Sequence, residues 1–300
     1  MRATRIIKRE LVIAFSRFGL RKVTVDYMGM RLVVPVIHGM VNGGYIVPAE
    51  FWMSDCLEAF ITTRRGCVLD VGSSVGVYLV KLRALSPDVE YYGVEPNPAS
   101  NFYVQQLIRL NRFRNARVLP FAFSDLKGVR MIYTGSLGSK SASALQPEGP
   151  DPTPSHSFEA YFTTGDEVVA SLDIDEMAVL KLDVEGLELE AMRGLERTIG
   201  RLRPYIYCEI LHGGLRDDSA ARAASLCELV RAMDYEILGV VDRTRTLELI
   251  PRAEQPGEAY WEEYIFAPSE LVPAFLEAIR GNRSGIQVSG EHGSPLPPAP

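Results

Sequence analysis

The stretch VLDVGSSVGVY, residues 68–78, decides the fold class of this chain of 300 residues. We interpret residues 68–71 as a buried strand and residues 75–85 as a helix. The turn between them holds Gly72 and Gly76, and a residue without a Cβ lets the backbone pass close to a ligand. A strand, a glycine turn and a helix in this order predict the opening unit of an α/β domain.

An acidic residue, Glu95, ends the next apolar run, YYGVE at residues 91–95. A carboxylate at the end of a second strand can accept both hydroxyls of a ribose. Dinucleotide sites usually show G-x-G-x-x-G, but Ser74 and Val77 stand where the second and third glycines would be. The turn therefore predicts a nucleoside ligand without phosphates, of which S-adenosylmethionine (SAM) is the common case.

Strand and helix patterns alternate along the following residues, which predicts a parallel sheet with helices on both faces. We predict seven strands, near residues 67–71, 90–95, 116–122, 177–183, 205–210, 235–241 and 260–267. No crossover helix separates the last two strands, so we expect them to pair antiparallel. The predicted fold is therefore α/β and Rossmann-like, with a seven-stranded, mostly parallel sheet, an antiparallel edge hairpin, and an N-terminal helix and β-hairpin. Five parallel strands closed by such a hairpin form the sheet of SAM-dependent methyltransferases.

The chain divides into three predicted parts. Residues 1–45 form an appendage, a basic amphipathic helix followed by a β-hairpin, and residues 46–281 form the main domain. Within that domain, residues 134–165 are rich in Gly, Ser, Pro and acids and predict a long loop, a candidate lid. Residues 282–300 end in SPLPPAP and predict a disordered tail.

Bulk properties limit the partners. A formal charge of −6 argues against a nucleic-acid partner, since such proteins normally carry a basic excess. No apolar run reaches the roughly 18 residues of a membrane span. The basic helix predicted for residues 1–20 leaves two alternatives open, peripheral contact with a membrane or packing on the domain or a partner. No C-x-x-C pair occurs among the four cysteines, which favours a cytoplasmic protein with reduced cysteines and no metal site.

A second motif, VLKLDVEGLELEAMRG at residues 179–194, is followed by RPYIYCEI at residues 203–210. Together with the opening motif, it resembles the FkbM family of methyltransferases, whose hallmark is a K-[IL]-D-[VI]-E-G-x-E block at this place. The resemblance runs from about residue 44 to residue 266. It implies a class I SAM-dependent fold and methylation of a hydroxyl oxygen on a sugar, glycolipid or secondary-metabolite scaffold. The expected partner is thus a small-molecule or glycan acceptor.

The candidate cofactor-binding residues all follow predicted strands, where ligands of open α/β sheets bind. They are Asp70, Gly72, Ser73, Ser74, Gly76, Glu95, Pro96, Asn97, Ala122, Phe123 and Ser124. The assignment of the last three to adenine rests on the family resemblance. Structural alternatives remain for two of them, since Asp70 can serve only its own turn and Phe123 can be a core residue.

The candidate catalytic residues are Asp183, Glu185, Glu209 and His212. An alcohol must lose its proton as it attacks, which requires a nearby base, and Asp183 or His212 can supply it. Glu185 has an alternative role, because a carboxylate there can accept amide hydrogen bonds at the start of the next helix. The carboxylates also suit Mg²⁺, although their spacing does not support a metal site.

Two other functions remain open from the sequence. An NAD-dependent oxidoreductase would use a similar strand and turn, although the missing glycines disfavour it. A non-catalytic adenosyl-binding protein would keep the same fold and bind SAM without transferring its methyl group.

Overall fold

The computed structural model describes residues 20–37, 51–134, 142–143, 156–210, 219–241, 246–250, 263–281 and 286–289. The predictions for the basic helix before residue 20 and for His212 lie outside these residues, as do those for most of 135–155 and for 290–300.

Within the described residues, the main sheet contains nine strands. Its spatial order is β15 (Gln287–Ser289), β13 (Thr246–Ile250), β12 (Tyr235–Val241), β14 (Glu263–Pro268), β11 (Tyr205–Glu209), β10 (Met177–Leu182), β3 (Cys67–Val71), β4 (Tyr91–Val94) and β5 (Ala116–Leu119). The five strands from β11 to β5 are parallel, and β14 and β12 continue the sheet antiparallel. The seven predicted strands are all present, and the predicted α/β, Rossmann-like fold is confirmed. The β12–β14 pair is antiparallel as predicted, but it does not form the edge of the sheet, because β13 and β15 extend the sheet beyond β12.

Eight α-helices are described. They are α1 (Phe51–Thr63), α2 (Val77–Leu85), α3 (Pro98–Asn111), α4 (Gly165–Ser171), α5 (Glu188–Arg193), α6 (Glu196–Leu202), α7 (Ser219–Ala232) and α8 (Val272–Gly281), with a 3₁₀ turn at Ser269–Leu271. The central strands β3 and β10 are buried at every position, because helices cover both faces of a parallel sheet. One core lies on each face, around Leu180 on one side and Val179 on the other. The four cysteines are buried free thiols.

The predicted N-terminal hairpin is confirmed. Strands β1 (Lys22–Tyr27) and β2 (Met30–Pro35) pair antiparallel through a turn at Met28 and Gly29. Asn111 of α3 accepts a hydrogen bond from the amide of Val33 at 2.7 Å and donates to its carbonyl at 2.8 Å. The hairpin is therefore fastened to the main domain along α3.

The structure differs from the sequence prediction in three further places. The strand predicted at 116–122 ends at Leu119, and residues Ala122–Phe123 (β6) join a second sheet with β9 (His156–Thr163), β7 (Gly128–Thr134) and β8 (Ala142–Ser143). The last part of the predicted lid loop is therefore strand β9 and the start of α4. Within the predicted disordered tail, β15 pairs parallel with β13. In the lid region and the tail, backbone pairing with a distant strand overrides a polar, Gly-rich local pattern.

Candidate active site

A cavity of about 290 Å³ opens at the carboxyl ends of β3, β4, β10 and β11. Its wall combines the glycine turn after β3, the segment after β4, the edge of the second sheet and the segment after β10. The residues lining it are Met53, Asp70, Val71, Gly72, Ser73, Ser74, Val75, Val77, Tyr78, Val94, Glu95, Pro96, Phe121, Ala122, Phe123, Ile132, Phe162, Lys181, Asp183, Val184, Glu185, Leu187, Tyr207, Glu209 and Glu263.

The glycine turn passes so close to the end of β10 that only glycine fits at its first position. A Cβ on Gly72 would lie 1.7 Å from the carbonyl oxygen of Asp183, and the φ of Gly72 is +79°. Ser74 also has a positive φ, 48°, and Gly76 has 83° just before α2. The turn and the Asp183 backbone are thus in direct contact, and the two motifs recognised in the sequence form one site.

Two serine hydroxyls in this turn have no hydrogen-bond partner among the described residues. They are the Oγ atoms of Ser73 and Ser74, both buried from solvent. Leaving a buried hydroxyl unpaired is unfavourable, so such groups are usually satisfied by water or by a ligand. Both residues line the cavity, so the turn offers two hydroxyls to a polar group bound there.

The Glu95 carboxylate joins the glycine turn to the segment after β4. Its Oε2 accepts a hydrogen bond from the amide of Ser74 at 2.7 Å, and its Oε1 accepts one from the amide of Asn97 at 2.8 Å. Burial raises the pKa of Glu95 to about 7, although the two amide hydrogen bonds act to lower it. Each carboxylate oxygen has a further lone pair, so Glu95 retains capacity to accept ligand hydroxyls.

Lys181 lies between the two acidic residues that end β3 and β10. Its Nζ is 3.1 Å from Asp70 Oδ1 and 3.2 Å from Asp183 Oδ2, and it donates to the carbonyl of Gly72 at 3.2 Å. Burial acts to lower the pKa of Lys181, but Asp183 and Asp70 together raise it above its ordinary value. Tyr91 donates to the other oxygen of Asp70 at 2.6 Å. Asp70 is therefore fixed by the protein on both oxygens.

On the far side of Asp183, the side chain of Glu209 forms a hydrogen bond with it. Burial, followed by the charge of Asp183 and this hydrogen bond, raises the pKa of Glu209 to about 8; Glu263 and Glu185 act in the same direction. Glu263 lies directly across the strand pair from Glu209. Glu209 is therefore a carboxyl group with a raised pKa beside Asp183, the kind of perturbed group that is common at functional sites.

Most of the predicted site residues come together in this cavity. Those lining it are Asp70, Gly72, Ser73, Ser74, Glu95, Pro96, Ala122, Phe123, Asp183, Glu185 and Glu209. Three predicted cofactor residues, Gly76, Asn97 and Ser124, are absent from the described wall.

Each of these three residues has a structural contact in the fold. Gly76 is the N-cap residue of α2, and Asn97 is the N-cap of α3, where its side chain accepts hydrogen bonds from the amides of Ala99 and Ser100. The hydroxyl of Ser124 is directed to Asp125 at 3.1 Å. Ser124 turns away because β6 leaves the main sheet at this point.

Glu188, the first residue of α5, is buried, and its side chain turns back to the loop after β10. Its Oε1 accepts hydrogen bonds from the amides of Gly186 at 2.9 Å and Val184 at 3.3 Å. Burial raises the pKa of Glu188 to about 7. Glu188 thus makes amide hydrogen bonds of the kind considered for Glu185, and Glu185, with a φ of 54°, lines the cavity.

Sequence reasoning missed four charged or polar residues of the wall: Tyr78, Lys181, Tyr207 and Glu263. Only 6% of Lys181 is exposed. A lysine inside an apolar central strand was the signal, since a buried ammonium needs a partner. Glu263 gave no such signal, because its place opposite Glu209 depends on strand pairing far along the chain.

The wall also determines which ligands fit. Among the described residues, no group of three or more His, Cys, Asp or Glu side chains is arranged to hold a metal ion. Nor is any described helix long and apolar enough to cross a membrane. An unphosphorylated nucleoside suits this cavity better than a ligand bound through its phosphates, because the turn offers hydroxyls and Glu95 offers carboxylate oxygens in place of a phosphate-binding glycine loop.

Fold and cavity together define an α/β protein with a nucleoside-type site at the carboxyl ends of its strands. The model of the methyltransferase FkbM domain matches residues 70–237. The chain belongs to this family. The matched region begins at Asp70 and contains the glycine turn, Glu95 and the segment after β10. No curated protein matches the chain.

Several solved structures are similar to the chain. One is the FkbM methyltransferase of Methylobacillus flagellatus KT, at 16% identity and a TM-score of 0.41, over 67% of this chain and 43% of that chain. Another is precorrin-6y C5,15-methyltransferase of Geobacter metallireducens GS-15, at 12% identity and a TM-score of 0.38, over 73% of this chain and 88% of that chain. A SAM-dependent methyltransferase of Aquifex aeolicus matches at 12% identity and a TM-score of 0.38, over 73% of this chain and 92% of that chain. The chain thus spans less than half the length of the first of these.

Proposed function

We propose that the protein transfers the methyl group of SAM to a hydroxyl of a sugar, glycolipid or secondary-metabolite scaffold. One observation carries the proposal: a single cavity joins the Glu95 and serine groups of the glycine turn to the neighbouring carboxyl groups of Asp183 and Glu209. The first set suits a nucleoside donor, and the second suits an acceptor that must lose a proton. Membership of a methyltransferase family supports the same proposal.

In the donor half, Glu95 accepts the ribose hydroxyls while its bonds to Ser74 and Asn97 hold it in place. The hydroxyls of Ser73 and Ser74 hydrogen-bond polar groups of the amino-acid portion near the start of α2, where amides favour a carboxylate. Ala122 and Phe123 contribute the apolar side of the cavity, suited to a purine ring. Bound SAM supplies an electrophilic methyl group attached to a sulfonium. Once the methyl group is transferred, the sulfonium becomes a neutral thioether.

In the acceptor half, Asp183 takes the proton of the attacking hydroxyl. Methyl transfer is an in-line displacement, so the protein must mainly align the reacting atoms and provide this base. Asp183 stands where the turn after β3 meets the end of β10, and Lys181 fixes one of its oxygens. Glu209 bonds to Asp183 and orients it towards the cavity.

The sequence of this half favours a hydroxyl over a nucleobase amine. Methyltransferases of such amines usually carry an N/D-P-P-Y/F block after the fourth parallel strand to grip the planar amine. Here DVEG, residues 183–186, occupies that place. The wall offers carboxyl groups from Asp183, Glu185 and Glu209, which accept hydrogen bonds from the several hydroxyls of a polyol.

The test is transfer of a deuterated methyl group from SAM to a panel of polyhydroxylated and amine-bearing acceptors, followed by NMR of the products. The proposal predicts an O-CD₃ ether that appears only with active protein. Label on nitrogen or carbon would refute the hydroxyl assignment. SAM binding without transfer to any acceptor, including a metabolite and glycolipid extract, would instead favour a non-catalytic adenosyl-binding protein.

A further inference from the structure

Lys181 is the one positively charged side chain that lines the cavity within the described residues, against six carboxyl groups. It lies in β10, whose residues are all buried. A buried ammonium is strongly unfavourable unless hydrogen bonds and opposite charges compensate it.

Lys181 makes two hydrogen bonds and one ion pair in the site. Three N–H bonds are available, and three acceptors surround Nζ: Asp70 at 3.1 Å, Asp183 at 3.2 Å and the carbonyl of Gly72 at 3.2 Å. None of these groups belongs to the hydrophobic core. Each belongs instead to the strand end or turn that forms the cavity.

The three acceptors divide between the two halves of the site. Asp70 and Gly72 belong to the glycine turn of the donor half, whereas Asp183 belongs to the acceptor half. The backbones of Gly72 and Asp183 also touch, so neither can move without the other. A single charged atom therefore ties the two halves together at their point of contact.

We propose that Lys181 is a positioning residue that couples the donor and acceptor halves, by holding the Gly72 turn in its binding conformation and offsetting the negative charge beside Asp183. This inference rests on the proposed function. It gives Lys181 two effects on binding: one on any ligand of the turn, and one that depends on the charge of the ligand.

The charge-dependent effect can be measured with two ligands of the same shape. SAM carries a positive sulfonium, and S-adenosylhomocysteine (SAH) is neutral at sulfur. Lys181→Met removes the positive charge and makes the cavity more negative. The variant should bind SAH at least about tenfold more weakly, through loss of charge-assisted hydrogen bonds to the turn. Its ratio of SAM affinity to SAH affinity should rise by about threefold or more.

The experiment is calorimetric titration of SAM and SAH into the wild-type chain, Lys181→Met and a matched control, Lys127→Met. Lys127 forms a surface ion pair with Glu167, so the control should keep both affinities. If Lys181 had a purely structural role, Lys181→Met would weaken the binding of SAM and SAH equally. An unchanged ratio of the two affinities would therefore overturn the proposal. So would wild-type affinity for SAH.

A double variant keeps the test valid if Lys181→Met does not fold. Lys181→Met with Asp70→Asn has the net charge of the wild type and leaves no unpaired carboxylate at position 70. It should return the SAM to SAH ratio to the wild-type value while SAH binding stays weak; a ratio that does not return overturns the proposal. Wild-type protein that binds neither ligand would refute the proposed function itself, so the two failures are distinguishable.

Discussion

Glu95 Oε2 accepts a hydrogen bond from the backbone amide of Ser74 at 2.7 Å, across 21 residues of sequence. The other oxygen holds the amide of Asn97. One buried carboxylate thus supports the turn that faces the ligand and remains available to the ligand. Its removal should affect stability and ligand binding together.

Glu95→Ala should weaken SAM binding by at least about tenfold, which corresponds to about 1.4 kcal/mol. The variant should also lose about 1–3 kcal/mol of folding free energy, because two inward-facing amides lose their acceptor. Calorimetry and denaturant unfolding measure the two effects. Glu228→Ala, at an exposed position of α7, is the control. An unchanged SAM dissociation constant would show that the ribose assignment is wrong.

Ser73→Ala separates binding from folding more cleanly. The hydroxyl has no partner in the described structure, so its loss should leave the unfolding free energy unchanged or slightly higher. SAM binding should weaken by about fivefold, the scale of one hydrogen bond of about 1 kcal/mol. Isothermal calorimetry and thermal unfolding without ligand test this. A variant that loses stability but binds SAM normally would show that the hydroxyl serves the fold.

Asp183→Asn should keep SAM affinity within a few-fold while slowing methyl transfer by about 100-fold or more, the scale of losing a general base. The amide can still accept a hydrogen bond from Lys181, so the turn should keep its conformation. Single-turnover kinetics with an acceptor found in the labelling experiment provide the measurement. Near-normal turnover would remove Asp183 from the proposed mechanism.

Gly72→Ala should destabilise the protein by about 3 kcal/mol or more, because the new Cβ would collide with the Asp183 carbonyl and the φ of +79° strains any L side chain. Gly200 in α6 is the matched control, since a Cβ there meets nothing within 4 Å. Gly200→Ala should stabilise by about 0.5–1 kcal/mol through helix propensity. Denaturant unfolding compares them, and equal stabilities would contradict the close approach.

Stability should fall as pH rises from about 5 to 8. Burial raises the pKa of Glu95 and of Glu188 to about 7, and burial with Asp183 raises that of Glu209 to about 8. In this window the folded chain holds protons that the unfolded chain has released, so the unfolding free energy decreases with pH. At a pH below the pKa that these carboxyl groups have in the unfolded chain, this contribution to stability is fully present.

Glu209→Gln removes one of the carboxyl groups with a raised pKa and should flatten the pH dependence of the melting temperature. The melting temperature of the variant should rise most, relative to the wild type, near pH 8. Glutamine keeps a donor for Asp183, as the protonated carboxyl does. Glu228→Gln should retain the wild-type slope. A Glu209→Gln profile parallel to the wild type would show that Glu209 is ionised across the range.

The parts of the site that could be predicted are those encoded by neighbouring residues. The glycine turn at 72–76 and the carboxylate of Glu95 follow from strand and turn patterns, and the same holds for Asp183 at the end of its strand. Each depends on local spacing and on the rule that parallel strands end at one edge.

The remaining parts depend on contacts between distant segments. Lys181 is a buried cation only because Asp70, 111 residues earlier in sequence, ends the adjacent strand. Glu263 reaches the cavity through antiparallel pairing with β11. Strand β6 leaves the main sheet to pair with β9, which turns Ser124 away. No local pattern specifies such pairings, so the sequence alone could not place these residues.

The most direct test of the central claim is a crystal structure of the chain with bound SAH. We predict the ribose hydroxyls within hydrogen-bonding distance of Glu95, the amino-acid portion beside Ser73 and Ser74, and the sulfur facing Asp183. A nucleoside bound elsewhere, or one whose sulfur lies away from Asp183, would contradict the account.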